Sequence, residues 1–136
     1  MNVTPILDAF ATPPVTRLIR ALAGLCVGVI TVLSLLPGDE RPHTGMPGQL
    51  EHFCAYAGTG FLFGLGFANS RRIRIMIWGG MTAASVAFEG LQFFVPGRSP
   101  SLVDALASTL GLSFGLVAAA LMFPILKRWL EFALRR

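Results

Sequence analysis

Charge is what this chain has least of. Only 13% of its 136 residues are Asp, Glu, Lys or Arg, about half the share of an ordinary soluble domain. Hydrophobic residues make up 54%, and mean hydropathy is +0.67. A formal net charge of +4 would suit nucleic acid, but so few charges scattered through apolar sequence cannot supply a run of phosphate contacts. No nucleic-acid partner is expected. Cysteine is scarce as well: Cys26 and Cys54 lie inside apolar stretches, without CxxC spacing and at different depths, so no disulfide is expected. The chain has no HExxH, no glycine-rich phosphate loop, no dinucleotide fingerprint and no GxSxG elbow. The strict alternation of a barrel strand is missing too. In lipid only helices and closed barrels satisfy their backbone groups, so the apolar runs are read as helices.

Four such runs are present, at about residues 18–36, 50–68, 73–95 and 102–126. Each is close to the roughly 20 residues that cross about 30 Å of hydrocarbon. Polar, Pro- and Gly-rich segments separate them. Residues 37–49 hold three prolines and three glycines, Asn69, Ser70, Arg71 and Arg72 form a short turn, and Pro96, Gly97, Arg98, Ser99 and Pro100 form another. Arg17 and Arg20 before the first run resemble a signal peptide, but no small-x-small cleavage pattern follows and three more runs come after it, so a retained helix is expected. The fold class expected is an all-α membrane protein, one domain over residues 1–136 built as a four-transmembrane-helix bundle.

Basic residues set its orientation. Arg17, Arg20, Arg71, Arg72, Arg74, Lys127, Arg128, Arg135 and Arg136 fall on one side, and only Arg41 and Arg98 on the other. By the positive-inside rule the larger group is cytoplasmic, giving an N-in, C-in topology. The basic, aromatic tail from Lys127 to Arg136 lies along the interface or snorkels from the end of the fourth helix. Gly24–Gly28, Gly60–Gly64 and Gly111–Gly115 are GxxxG pairs. Small residues let helices approach closely in lipid, so these pairs are read as packing within the bundle, with homo-oligomerisation second.

A few polar residues interrupt the apolar runs toward the outer side. Glu89 and Gln92 share a face of the third helix. A carboxylate there is expensive unless it faces the interior and has a partner; a helix–helix hydrogen-bonding pair without chemistry is the plain alternative. Ser101 and Asp104 match the S-x-x-D start of a helix, which by itself accounts for Asp104 as a capping residue. His52 and Tyr56, four apart, share a face near the outer start of the second helix, where a histidine is often only a wetted end. Arg98, placed between Glu89 and Asp104, is expected to fold back and neutralise one of them. His52, Glu89 and Asp104 are the candidate acid–base residues. As N/O donors they can also ligate a metal, but without a metal motif neither a metal nor another cofactor is expected.

His52-Phe-Cys-Ala-Tyr56, Glu89-Gly-Leu-Gln92, Pro96-Gly-Arg98, and Asp104 followed by Gly111 resemble, in order and spacing, the motifs of the VanZ-like family. These are small bacterial membrane proteins named for a member associated with teicoplanin resistance. The resemblance covers about residues 33–118. It departs where the family often has an Asp-Lys pair before the histidine and this chain has Gly48-Gln49, and where an Asn commonly follows the Asp and this chain has Ser108. The resemblance implies a multi-pass protein of the bacterial cytoplasmic membrane acting at its outer face. In that setting the outward polar cluster is expected to bind or modify a lipid-linked envelope component, with membrane lipids as partners and a contribution to glycopeptide resistance. His52, Glu89 and Asp104 would act on that component, and Tyr56, Gln92, Arg98 and Ser108 would hold it. A non-catalytic membrane partner subunit and a small permease are the alternatives. The topology is tested by reporter fusions after residue 45 and after residue 136: they should report opposite sides of the membrane, and the same side for both overturns it.

Overall fold

Prolines and glycines set the helix ends. In the computed structural model, which describes residues 13–42 and 44–133, all regular structure is helical and four helices follow one another. Helix α1 (Pro13–Leu35) opens on two prolines, tolerated in a first turn because its N–H groups have no intrahelical acceptor. Pro37 and Gly38 follow its end. Helix α2 (Gly48–Gly66) begins after Pro47, and α3 (Arg71–Gln92) after Ser70, whose Oγ accepts the Ile73 N–H at 3.3 Å. Helix α4 (Leu102–Ala133) follows Ser101.

Three boundaries differ from those expected by three residues or more. Helix α1 starts at Pro13 rather than about 18. Helix α3 stops at Gln92 rather than about 95, because Phe93, Phe94 and Val95 wind on in tighter turns, donating to Gly90, Leu91 and Gln92 carbonyls at 3.3, 3.0 and 3.1 Å. Helix α4 passes the expected end near 126 and runs through Pro124 to Ala133. Pro124 removes one backbone donor without ending the helix. The tail is therefore a continuation of α4 as far as Ala133, while Arg135 and Arg136 lie outside the described residues.

Two stretches, Pro14–Leu35 in α1 and Leu102–Ile125 in α4, are long and apolar enough to cross a membrane. Helices α2 and α3 fall short of that measure because of what they carry: Gln49, Glu51 and His52 in α2, and Arg71, Arg72, Arg74, Glu89 and Gln92 in α3. The surface is nonetheless apolar. Leu18, Leu22, Leu25, Val29 and Val32 run down α1, and Leu106, Leu110, Phe114, Val117 and Leu121 down α4, all exposed and all at helical spacing. The interior meanwhile holds Ser34, Thr59, Ser85, Glu89, Gln92 and Ser108.

Helices α2 and α4 form the most intimate pair. A Cβ added at Gly60 would stand 2.6 Å from the Leu112 carbonyl oxygen, one at Gly64 would strike Ala119, one at Gly111 the Phe53 carbonyl, and one at Gly115 the Ala57 carbonyl. Two GxxxG pairs thus interlock, as expected. The third does not: nothing among the described residues lies within 4 Å of a Cβ at Gly24 or Gly28, which face outward. Beside the seam Ile30, Tyr56, Leu112 and Leu116 form the buried core, flanked by Phe63, Met81 and Phe88. Helix α1 is tied at both ends. Arg20 Nε donates to the Gly66 carbonyl at 2.8 Å, its guanidinium lying 4.2 Å from the centre of the Phe67 ring, and Gln92 Nε2 donates to the Ser34 carbonyl at 3.0 Å. Cys26 and Cys54 are free thiols.

The seam makes a comparative prediction. Gly111→Ala or Gly115→Ala should cost about 1–3 kcal/mol through overpacking and lower the thermal midpoint of the detergent-solubilised chain, whereas Gly24→Ala should leave it unchanged. Equal effects at all three positions would contradict the packing described.

Candidate functional site

Helix α4 starts with half of a capping box. Ser101 Oγ accepts the Asp104 N–H at 3.3 Å. In a complete box the acid three residues on would reach back to the Ser101 N–H. Here that N–H donates instead to Glu89 Oε2 of α3, at 2.7 Å. The substitution has two effects. It gives a carboxylate that is only 4% exposed a charge-assisted hydrogen bond, and it leaves the Asp104 carboxylate free to face α2.

On α2, one turn contributes both partners. Gln49 Nε2 donates to Asp104 Oδ1 at 3.0 Å, and His52, three residues along, places Nε2 3.8 Å from Asp104 Oδ2. The other imidazole nitrogen, Nδ1, lies 3.2 Å from Ser108 Oγ. Ser108 donates its single proton to the Asp104 carbonyl at 2.9 Å, so its oxygen is left to accept. The neutral imidazole consistent with this network carries its proton on Nδ1 and its lone pair on Nε2, toward the carboxylates. One ligand atom each from His52, Glu89 and Asp104 lies within 4.8 Å of the others. Three helices converge there.

Not every expected residue joins this cluster. Tyr56 sits one turn below His52, buried beside Ser85 and Ser108. Gln92 shares the buried face of α3 with Glu89, but it turns toward α1 and holds the Ser34 carbonyl. Arg98 corrects the expectation most clearly, for it forms no ion pair within 4 Å with Glu89 or Asp104. Glu89 is occupied by Ser101 N–H and Asp104 by Gln49, and the 96–98 turn is held elsewhere. Gly97 adopts φ +72° and Gly38 N–H donates to the Pro96 carbonyl at 3.1 Å. A side chain at Gly38 would collide with the Gly97 carbonyl. The two loops are thereby stitched together with Arg98 beside the 37–47 loop.

There Arg98 lines a cleft of about 240 Å³ with Arg41, and the apolar wall is made by Ile30, Leu33, Met46 and Ala55. His52, Ser34 and Tyr56 also line it. An adjoining hollow between the loops shares Arg41, Glu51 and Arg98. Arg41 is paired with Glu51, which also accepts the Thr44 hydroxyl. Half-buried Arg98 has no such partner among the described residues. Burial pulls its guanidinium below the ordinary arginine value, though an arginine remains cationic at any physiological pH.

Gln49, Ser101 and the Arg41–Glu51 pair were missed from sequence. For Gln49 a signal existed, since it precedes His52 by three residues and so shares its face. A backbone N–H such as that of Ser101 leaves none. Compared with known proteins, the chain matches no family model, no curated protein and no solved structure.

Proposed function

We propose that this chain is a four-span protein of the bacterial cytoplasmic membrane, with both termini inside, that binds an anionic, lipid-linked envelope component at its outer face. The observation that carries this reading is the cleft, lined by apolar side chains together with Arg98 and with Arg41, which is paired to Glu51. A guanidinium at the mouth suits a phosphate and the apolar lining suits the chain attached to it. Arg98, with no carboxylate within 4 Å among the described residues, is the arginine of this cleft open to a ligand. His52 lines the same cleft and links it to Glu89 and Asp104, which places acid–base groups beside the phosphate end.

Several features support the membrane setting. Apolar stripes cover the outside while polar groups are gathered inside, an arrangement stable in lipid and costly in water. Two helices are apolar enough to span. In the proposed bundle α2 and α3 cross as well, with Thr59, Ser85, Glu89 and Gln92 turned to the interior as intramembrane polar groups generally are. The motif resemblance to VanZ-like proteins favours the envelope as the place of action and glycopeptide susceptibility as the affected trait.

Binding is favoured over transport because the core below the cluster is filled. Thr59 and Leu112 are almost fully buried beneath Tyr56, and Ile30 and Leu116 pack with them, so the described helices enclose a pocket closed at depth. The test is binding of a long-chain polyprenyl phosphate to the chain in zwitterionic nanodiscs. Arg98→Ala should weaken it about 10- to 100-fold, the worth of a hydrogen bond to a charged group. Unchanged binding in Arg98→Ala, or equal binding of the uncharged polyprenol, would refute the assignment.

A further inference from the structure

We propose that His52, Glu89 and Asp104 form a binding site for one divalent first-row metal ion of the Zn²⁺ or Mn²⁺ type. Their donor types allow a metal, but the three come from different helices and match no ligand motif, so none is expected from sequence. The fold brings them together. One N or O atom from each lies within 4.8 Å of the other two. Around an ion at about 2.0–2.2 Å from each ligand, donors stand roughly 3–4 Å apart, so a small rotation of a carboxylate closes the set.

Three further observations point to a cation. The first is charge balance. Glu89 and Asp104 converge with no Lys or Arg within 4 Å of either among the described residues, Arg98 acting on them only from farther off. Two carboxylates so placed repel each other at low dielectric unless a positive charge joins them, and a divalent ion cancels both. The second is Glu89 itself, an acid only 4% exposed that is held at Oε2 by the Ser101 N–H and not by a cationic side chain within 4 Å among the described residues. The third is the imidazole. Ser108, fully buried and with its proton committed to the Asp104 carbonyl, accepts from Nδ1–H. Metal-ligating histidines are usually fixed in this way through the distal nitrogen. Nε2 then presents a lone pair to the carboxylates.

A mixed imidazole–carboxylate set suits Zn²⁺ or Mn²⁺ better than Ca²⁺ or Cu⁺, and three protein ligands leave a position open. His52 also lines the arginine-bearing cleft, so a ligand anion there would reach that position. The metal site uses the cluster of the proposed function but does not require the lipid reading.

The experiment uses the full chain in detergent micelles, stripped with a chelator and dialysed against Zn²⁺ or Mn²⁺ alone, with bound metal measured per chain. One ion per chain is expected, with a rise in thermal midpoint. His52→Ala, Glu89→Gln and Asp104→Asn should each bind at least about tenfold more weakly, while Trp78→Phe, outside the cluster, should bind as wild type. Each variant's helical circular dichroism checks that it is folded, and the three substitutions at separate sites guard against a single misfolded variant. No stoichiometric uptake by the wild type, or equal uptake by the three folded variants, overturns the site. Uptake by a chain that binds no polyprenyl phosphate still supports it, and phosphate binding without uptake overturns this inference alone.

Discussion

A carboxylate on one helix accepts the backbone N–H at the head of another, and the site depends on that bond. Glu89 is buried in the interior of α3, and Ser101 is the residue that starts α4. A buried N–H without an acceptor costs about 1–3 kcal/mol, and an unsolvated carboxylate costs more. Each group resolves the other's deficit. Because Glu89 takes the N–H that Asp104 would have taken in a self-contained capping box, Asp104 is released toward Gln49 and His52. One long-range hydrogen bond thereby converts two local helix features into a cluster shared by three helices.

The rest of the fold brings that bond within reach. Glycines on α2 and α4 let their backbones close to a distance no Cβ would permit, which places His52 opposite Ser108 and Asp104. Gln92 holds α3 to the end of α1. The contact between Gly38 and Pro96 then joins the two loops and brings Arg98 alongside Arg41 at the cleft. Polar groups are concentrated at this end, while a core of Ile30, Tyr56, Leu112 and Leu116 fills the bundle below it.

Much of this was legible in the residues. Proline, glycine and the change from apolar to polar sequence marked four helices, because those signals are local. His52, Tyr56, Glu89, Gln92 and Asp104 stood out as polar groups in apolar surroundings and Ser108 through the motif resemblance; the structure gathers His52, Glu89, Asp104 and Ser108, with Tyr56 one turn below and Gln92 turned toward α1. What was not legible depends on partners distant in sequence. Arg98 was expected at a carboxylate, but the carboxylates are already engaged by Ser101 and Gln49, and no local pattern reveals that. Gly24 and Gly28 carry the same spacing as the interlocked glycines yet meet no other helix among the described residues, since GxxxG records the capacity for close approach and not the neighbour. Helix α4 also continues past its expected end near 126 into the basic tail, as far as Ala133.

The functional account requires that the cluster be held open by the joint between α3 and α4, not merely lie near it. Amide hydrogen exchange at Ser101, followed in the folded chain, reads that joint directly. Ser101 should be protected in the wild type, lose protection in Glu89→Ala, and regain it in Glu89→Gln, whose side-chain oxygen still accepts. Exchange in the α2–α4 seam around Leu112 should stay slow throughout. Equal protection of Ser101 in wild type and Glu89→Ala would contradict the account.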